Sequence, residues 1–160
     1  MSSARHEYVV DNNTLSRLTR AQRASSFFRE HCHIPSEVLH EARGLPDIAT
    51  LKANEYPTTA GVLKFLIDVM ASVPVGDTKL VDLYANRGNA DPLLIACALD
   101  GRRADNEFLF GPTWVVVSED KAVRAKAEEF ELKVMTNDEF VAVLEDGLPP
   151  ADAESGLTIR

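Results

Sequence analysis

The chain has 160 residues, 45% hydrophobic and 26% charged, and its 17 Lys+Arg against 25 Asp+Glu give a formal net charge of −8. That length and composition fit one globular domain, and the negative balance excludes a protein that coats nucleic acid by bulk attraction. No apolar run approaches the ~18 residues of a membrane span, the opening MSSARHEYVV lacks a long apolar segment before a small-residue cleavage site, and Cys32 and Cys97 are too few for a disulfide framework, so a cytoplasmic protein with two buried thiols is expected.

Tyr8-Val9-Val10 is a β-branched and aromatic run that stops at Asp11-Asn12-Asn13-Thr14, which reads as a strand ending in a helix cap. Leu15, Leu18, Ala24, Phe27 and Phe28 recur at helical spacing through His31 and predict one helix or a broken pair. Cys32 to Ile34 is a second short strand, and Pro35-Ser36 opens a helix closed by Gly44. Leu45 to Pro57 gives a weak signal, with a helical turn over Leu51 to Glu55. Thr59 suits the cap of a helix over Gly61 to Ser72, and Asp77 or Thr78 the cap of a helix through Tyr84 that ends near Gly88. Ala90-Asp91-Pro92 starts the most apolar helix, Leu93 to Leu99.

Trp114 to Val117, bounded by Gly111-Pro112 and Ser118-Glu119-Asp120, predicts a strand buried on both faces, with Trp114 in the core. A helix over Lys121 to Glu129, a strand over Leu132 to Met135 and a helix capped by Asn137 follow. Residues 1–146 form the single expected domain, and 147–160 a frayed, Pro- and Asp-containing tail. Strands alternating with helices predict an α/β, three-layer fold: a central, mainly parallel sheet of about four to five short strands flanked by helices.

In parallel α/β sheets ligands sit beyond the carboxyl ends of strands, where Asp11 and Asp120 are expected. Asp91 opens the central apolar helix and Glu41 lies in the helix after the second strand, so four carboxylates from four segments can reach one edge. Taken singly, Asp11, Asp91 and Asp120 also read as helix caps and Glu41 as a solvated helix residue. Their coincidence points to a site for a hard divalent ion such as Mg²⁺ or Mn²⁺, whose ligands are oxygens and whose chemistry activates water at a phosphate. Arg17, Arg20 and Arg23, within a face about 120° wide at helical spacing, and the pair Arg102 and Arg103 are the candidate RNA contacts, each also readable as a solvated face.

The order of segments resembles the PIN-domain ribonuclease family from Tyr8 to about Leu144. The matching pieces are YVVDNNTL, HIPSEVLHEARG, NADPLLIACAL and WVVVSEDKAVRAKAEEFELKVMTNDEFVAVL. The resemblance implies a metal-dependent endoribonuclease with Asp11, Glu41, Asp91 and Asp120 as metal-binding acids, and Asn13 or Thr14 steadying the first. It also implies Mg²⁺ or Mn²⁺, an RNA substrate, and the partners of small relatives: an antitoxin protein that restrains a toxin, or a second copy in a homodimer. Two departures stand out: Ala122 where a further acid is usual, and Asn12 in place of a hydroxyl. Glu37 or Glu119 is the substitute ligand, Glu37 sharing a helix face with Glu41.

His31-Cys32-His33 is set aside as a zinc site, because a strand points Cys32 away from the two histidines. No Gly-rich phosphate loop supports nucleotide chemistry. A non-catalytic PIN-like domain that binds RNA or protein is the alternative. A phospho-acceptor receiver domain is disfavoured, because Asn12-Asn13 and Asn137 stand where adjacent acids and a Lys belong.

Overall fold

The computed structural model describes residues 5–80, 90–106, 109 and 111–146. Its strands β1 (His6–Val10), β2 (Cys32–Pro35), β3 (Glu55–Tyr56), β4 (Thr113–Val117) and β5 (Lys133–Met135) form one sheet in the order β3-β2-β1-β4-β5. Every pairing is parallel. The fold is thus the α/β one that the alternation predicts. Central β1 and β4 run in register from His6↔Thr113 to Val10↔Val117, and Val9, Val10 and Val115 to Val117 are fully buried. Such continuous apolar runs are what a strand covered on both faces needs.

Between β1 and β2 lie α1 (Asn12–Arg17), α2 (Arg20–Arg23) and α3 (Ser26–His31), three short helices where the apolar spacing predicts one or two. The breaks come from caps. Thr19 Oγ1 accepts from Gln22 N at 3.1 Å while Gln22 Oε1 accepts from Thr19 N at 2.8 Å, and Ser25 Oγ accepts from Phe28 N at 3.2 Å. Each hydroxyl restarts the helix from extended backbone, yet Leu15, Leu18 and Phe28 still reach the core.

Between β2 and β3 come α4 (Ser36–Glu41), α5 (Ile48–Leu51) and a 3-10 turn over Lys52–Asn54. The weak segment therefore ends in an edge strand of two residues, too short to leave a pattern. Buried Asn54 secures it by donating from Nδ2 to Cys32 O at 2.7 Å. The chain continues through α6 (Ala60–Ala71) and α7 (Asp91–Asp105) to β4, and through α8 (Lys121–Glu129) to β5. The predicted helix from Asp77 or Thr78 to Gly88 falls largely on residues 81–89, outside the described residues, as does the tail from Gly147.

Helix α7 is longer than the Leu93–Leu99 core expected. It lies on the sheet, with Gly101 against the Trp114 indole in a space that a Cβ would overlap. Trp114 is buried, as its sequence context predicts. With β1→β2→β3 and β3→β4→β5 running in opposite directions across the sheet, the right-handed rule for parallel crossovers assigns α1–α5 to one face and α6–α8 to the other, where α6 and α8 both pack on α7. The last described helix, α9 (Asn137–Asp146), joins the first face, where Phe140 and Phe27 meet the Tyr8 ring at 5.3 and 5.9 Å. Its cap is a correction: Thr136, not Asn137, caps α9, with Thr136 Oγ1 accepting from Glu139 N at 3.3 Å and Glu139 Oε1 accepting from Thr136 N at 3.1 Å. Among the described residues no helix is long and apolar enough to cross a membrane. Cys32 and Cys97 are buried free thiols whose pKa burial pushes up.

Candidate metal centre

The strand order reverses between β1 and β4, and in open parallel sheets the crevice beyond the carboxyl ends at that point is where ligands bind. Asp11 directly follows β1, and Asp120 lies three residues beyond β4. Both are helix caps, and in both the capping role falls on one oxygen. Asp11 Oδ1 accepts from Thr14 N at 2.7 Å and from Thr14 Oγ1 at 2.6 Å. Asp120 Oδ1 accepts from Ala122 N at 2.8 Å. Among the described residues nothing donates to the second oxygen of either, so capping and ligation are compatible.

Asp91 is the first residue of α7, with Pro92 behind it; Ala90 holds the cap position and makes no side-chain cap bond. The partly buried carboxyl is therefore not a cap. Its pKa is raised to about 7, first by desolvation and then by the charges of Asp120, Asp11 and Glu41. Glu41 ends α4 and is raised too, by desolvation, then Glu37, then Asp11. The fold thus brings Asp91 within electrostatic reach of the other three sequence-predicted acids, and Glu41 within reach of Asp11. Among the described residues no three His, Cys, Asp or Glu side chains close on a common ion position. The arrangement is an open cluster of carboxylates, and carboxylate oxygens are the hard donor type that suits Mg²⁺ or Mn²⁺.

The substitute ligands differ. Glu37 neighbours Glu41 as the helical spacing requires. Glu119 is engaged elsewhere, its Oε2 accepting from Asn137 N at 3.1 Å. Sequence reasoning overlooked Ser118, fully buried, whose Oγ accepts from Asp120 N at 3.2 Å and whose carbonyl accepts from Arg124 Nη1 at 2.9 Å. A small hydroxyl residue directly after an apolar strand was the available signal. Asn137, taken as a cap, is buried beside Thr14.

The basic candidates scatter. Arg23 is a correction: its guanidinium turns inward onto Asp47, with Nε–Oδ2 and Nη2–Oδ1 both at 2.9 Å, and onto the carbonyls of Leu15 and Leu18. The cap at Thr19 breaks the helical face that the spacing assumed. Arg20 is exposed, and Arg17 pairs with Asp138. Arg102 donates to the Phe130 and Glu131 carbonyls at 3.1 and 3.0 Å, and Arg103 to Asp100 Oδ1 at 3.1 Å. Both lie about 17 Å along α7 from Asp91, at 1.5 Å per residue, so the fold does not bring them to the acids.

At the opposite end of the sheet, His31 and His33 face buried Glu7, with His31 Nδ1 at 3.2 Å from Glu7 Oε2. Burial raises the Glu7 pKa, but His33 and Arg5 outweigh it and leave the carboxyl below its ordinary range. Comparison with protein-family models gives no match, and comparison with curated proteins gives none either.

Proposed function

We propose that the chain is a divalent-metal-dependent endoribonuclease of PIN type, with Asp11, Glu41, Asp91 and Asp120 holding Mg²⁺ or Mn²⁺. The carrying observation is Asp91, held near a pKa of about 7 by burial and by three carboxylates that come from three other segments. A cluster of this kind at a topological switch point is more costly to a fold than a solvated cap and is a marker of a functional site.

A bound divalent ion would supply the positive charge that makes a water a better nucleophile and offsets charge on the scissile phosphate. Thr14 fixes Asp11 through one oxygen and leaves the other to the cation. Burial and the neighbouring carboxylates favour a proton on Asp91 near neutral pH, and a cation held there would take the place of that proton. Arg17 and Arg20 are the nearest of the basic candidates in sequence to Asp11 and suit phosphates of the same RNA strand. An antitoxin or homodimer partner rests on the family resemblance alone.

The test is incubation of purified protein with a mixed RNA pool, with Mn²⁺ or with EDTA. Cleavage should require Mn²⁺ and should vanish in Asp11→Asn and in Asp91→Asn. RNA binding without cleavage would favour the non-catalytic alternative, to which Ala122 in place of a further acid already points.

A further inference from the structure

With Thr136 as the cap of α9, the Asn137 amide is not needed there; the residue is 1% exposed, and its side chain faces Thr14. Thr14 Oγ1 lies 2.6 Å from Asp11 Oδ1 and 2.7 Å from the oxygen position of the Asn137 amide. A hydroxyl has one proton to give, and an ionised carboxylate has none. With the amide oxygen facing Thr14, one of these two short O···O contacts would lack a proton and be repulsive. Amide oxygen and nitrogen share one shape, and turning the amide over supplies a donor to the second contact.

We propose that Asn137 is a positioning residue for Asp11. Its Nδ2 donates to Thr14 Oγ1, which commits the Thr14 proton to Asp11 Oδ1 and leaves Oδ2 as the oxygen offered to the cation. The inference rests on the metal-centre reading of Asp11. Thr14 N also donates to Oδ1, at 2.7 Å, so two bonds on one oxygen set the rotation of the carboxylate. Asn137 is itself held by its backbone N–H on Glu119 Oε2 at 3.1 Å. The relay therefore ties together the acid after β1, the acidic loop after β4 and the last helix, across a separation of 123 residues between Thr14 and Asn137.

Proton exchange of the Asn137 side-chain amide, followed by NMR on ¹⁵N-labelled protein, tests the relay independently of catalysis; Mn²⁺-dependent RNA cleavage tests its consequence. One Nδ2 proton should exchange slowly in wild type and in Thr14→Ser, and freely in Thr14→Val. Asn137→Asp keeps the shape but removes the donor, and should lower kcat about 10–100-fold with little change in KM, as loss of a group that orients a ligand does. Thr14→Val should match it, and Thr14→Ser should restore most of the rate. A role in packing alone would lower the melting temperature and leave kcat unchanged below it. If Asn137→Asp does not fold, the Thr14 pair carries the comparison. Free exchange of both amide protons in wild type, or wild-type kcat in Asn137→Asp and Thr14→Val, overturns the proposal. The expected exchange pattern in a protein that cuts no RNA would support the relay and reject the ribonuclease reading.

Discussion

Replacing Asp91 with Asn should stabilise the metal-free protein at neutral pH and leave it unchanged in acid. Asp91 is held at about 7 against an ordinary 3.8, chiefly by desolvation and then by Asp120, Asp11 and Glu41. About three pH units correspond to about 4 kcal/mol at 1.36 kcal/mol each. The side chain is partly open to water, and solvent screening reduces this to about 2 kcal/mol. Because the folded-state pKa lies above the unfolded one, the native state binds the proton more tightly: its contribution is fully present below about pH 4 and is lost as pH rises toward 7. In EDTA, the stability of Asp91→Asn minus that of wild type, from urea unfolding, should grow from near zero at about pH 4 to a plateau of about 2 kcal/mol by about pH 8. A difference that stays flat across this range would mean that Asp91 is neither desolvated nor crowded by the other carboxylates, and the basis of the proposed metal centre would be gone.

Other expectations follow from the same geometry. Asp47→Asn should leave the Arg23 guanidinium buried without its counter-charge and cost about 3–5 kcal/mol in urea unfolding; a loss below about 1 kcal/mol would return Arg23 to the surface face. Gly101→Ala should cost about 1–3 kcal/mol, because the new methyl meets Trp114 and α7 must shift on the sheet; unchanged stability would contradict the packing of α7. Replacing Arg17 and Arg20 together should weaken RNA binding and flatten its salt dependence. Arg102→Ala should not change that slope, since its guanidinium is held on the carbonyls that follow α8.

Much of the architecture was legible because it rests on periodicity and composition. The apolar runs of β1 and β4, the Asp-Pro start of α7 and the bounds of α8 each carry their signal within a few residues. Asp11, Asp91 and Asp120 were legible for a related reason: strand ends and helix starts are local features, and a parallel sheet gathers them at one edge, whereas Glu41, at the end of α4, carries no such local mark and was reached through the resemblance. What escaped depends on contacts distant in sequence. Arg23 looks like Arg17 and Arg20 until Asp47, 24 residues away, is placed beside it. Asn137 looks like a cap until Thr14 meets its side chain. β3 has two residues and exists through its pairing with β2. Thr19 and Ser25 were readable as caps, and the spacing of Leu15, Leu18 and Phe28 masked them because a broken helix can keep the same buried set.

Calorimetric titration of Mn²⁺ into the wild-type protein at pH 7, repeated in buffers of different ionisation enthalpy, tests the central claim most directly. A cation that displaces the Asp91 proton should bind with a fractional proton release at pH 7 that falls away as pH rises above about 8, because Asp91 titrates near 7. Binding should weaken sharply in Asp11→Asn, and the proton release should be lost in Asp91→Asn. No binding heat up to millimolar Mn²⁺, or binding with the same proton release in Asp91→Asn, would contradict the account.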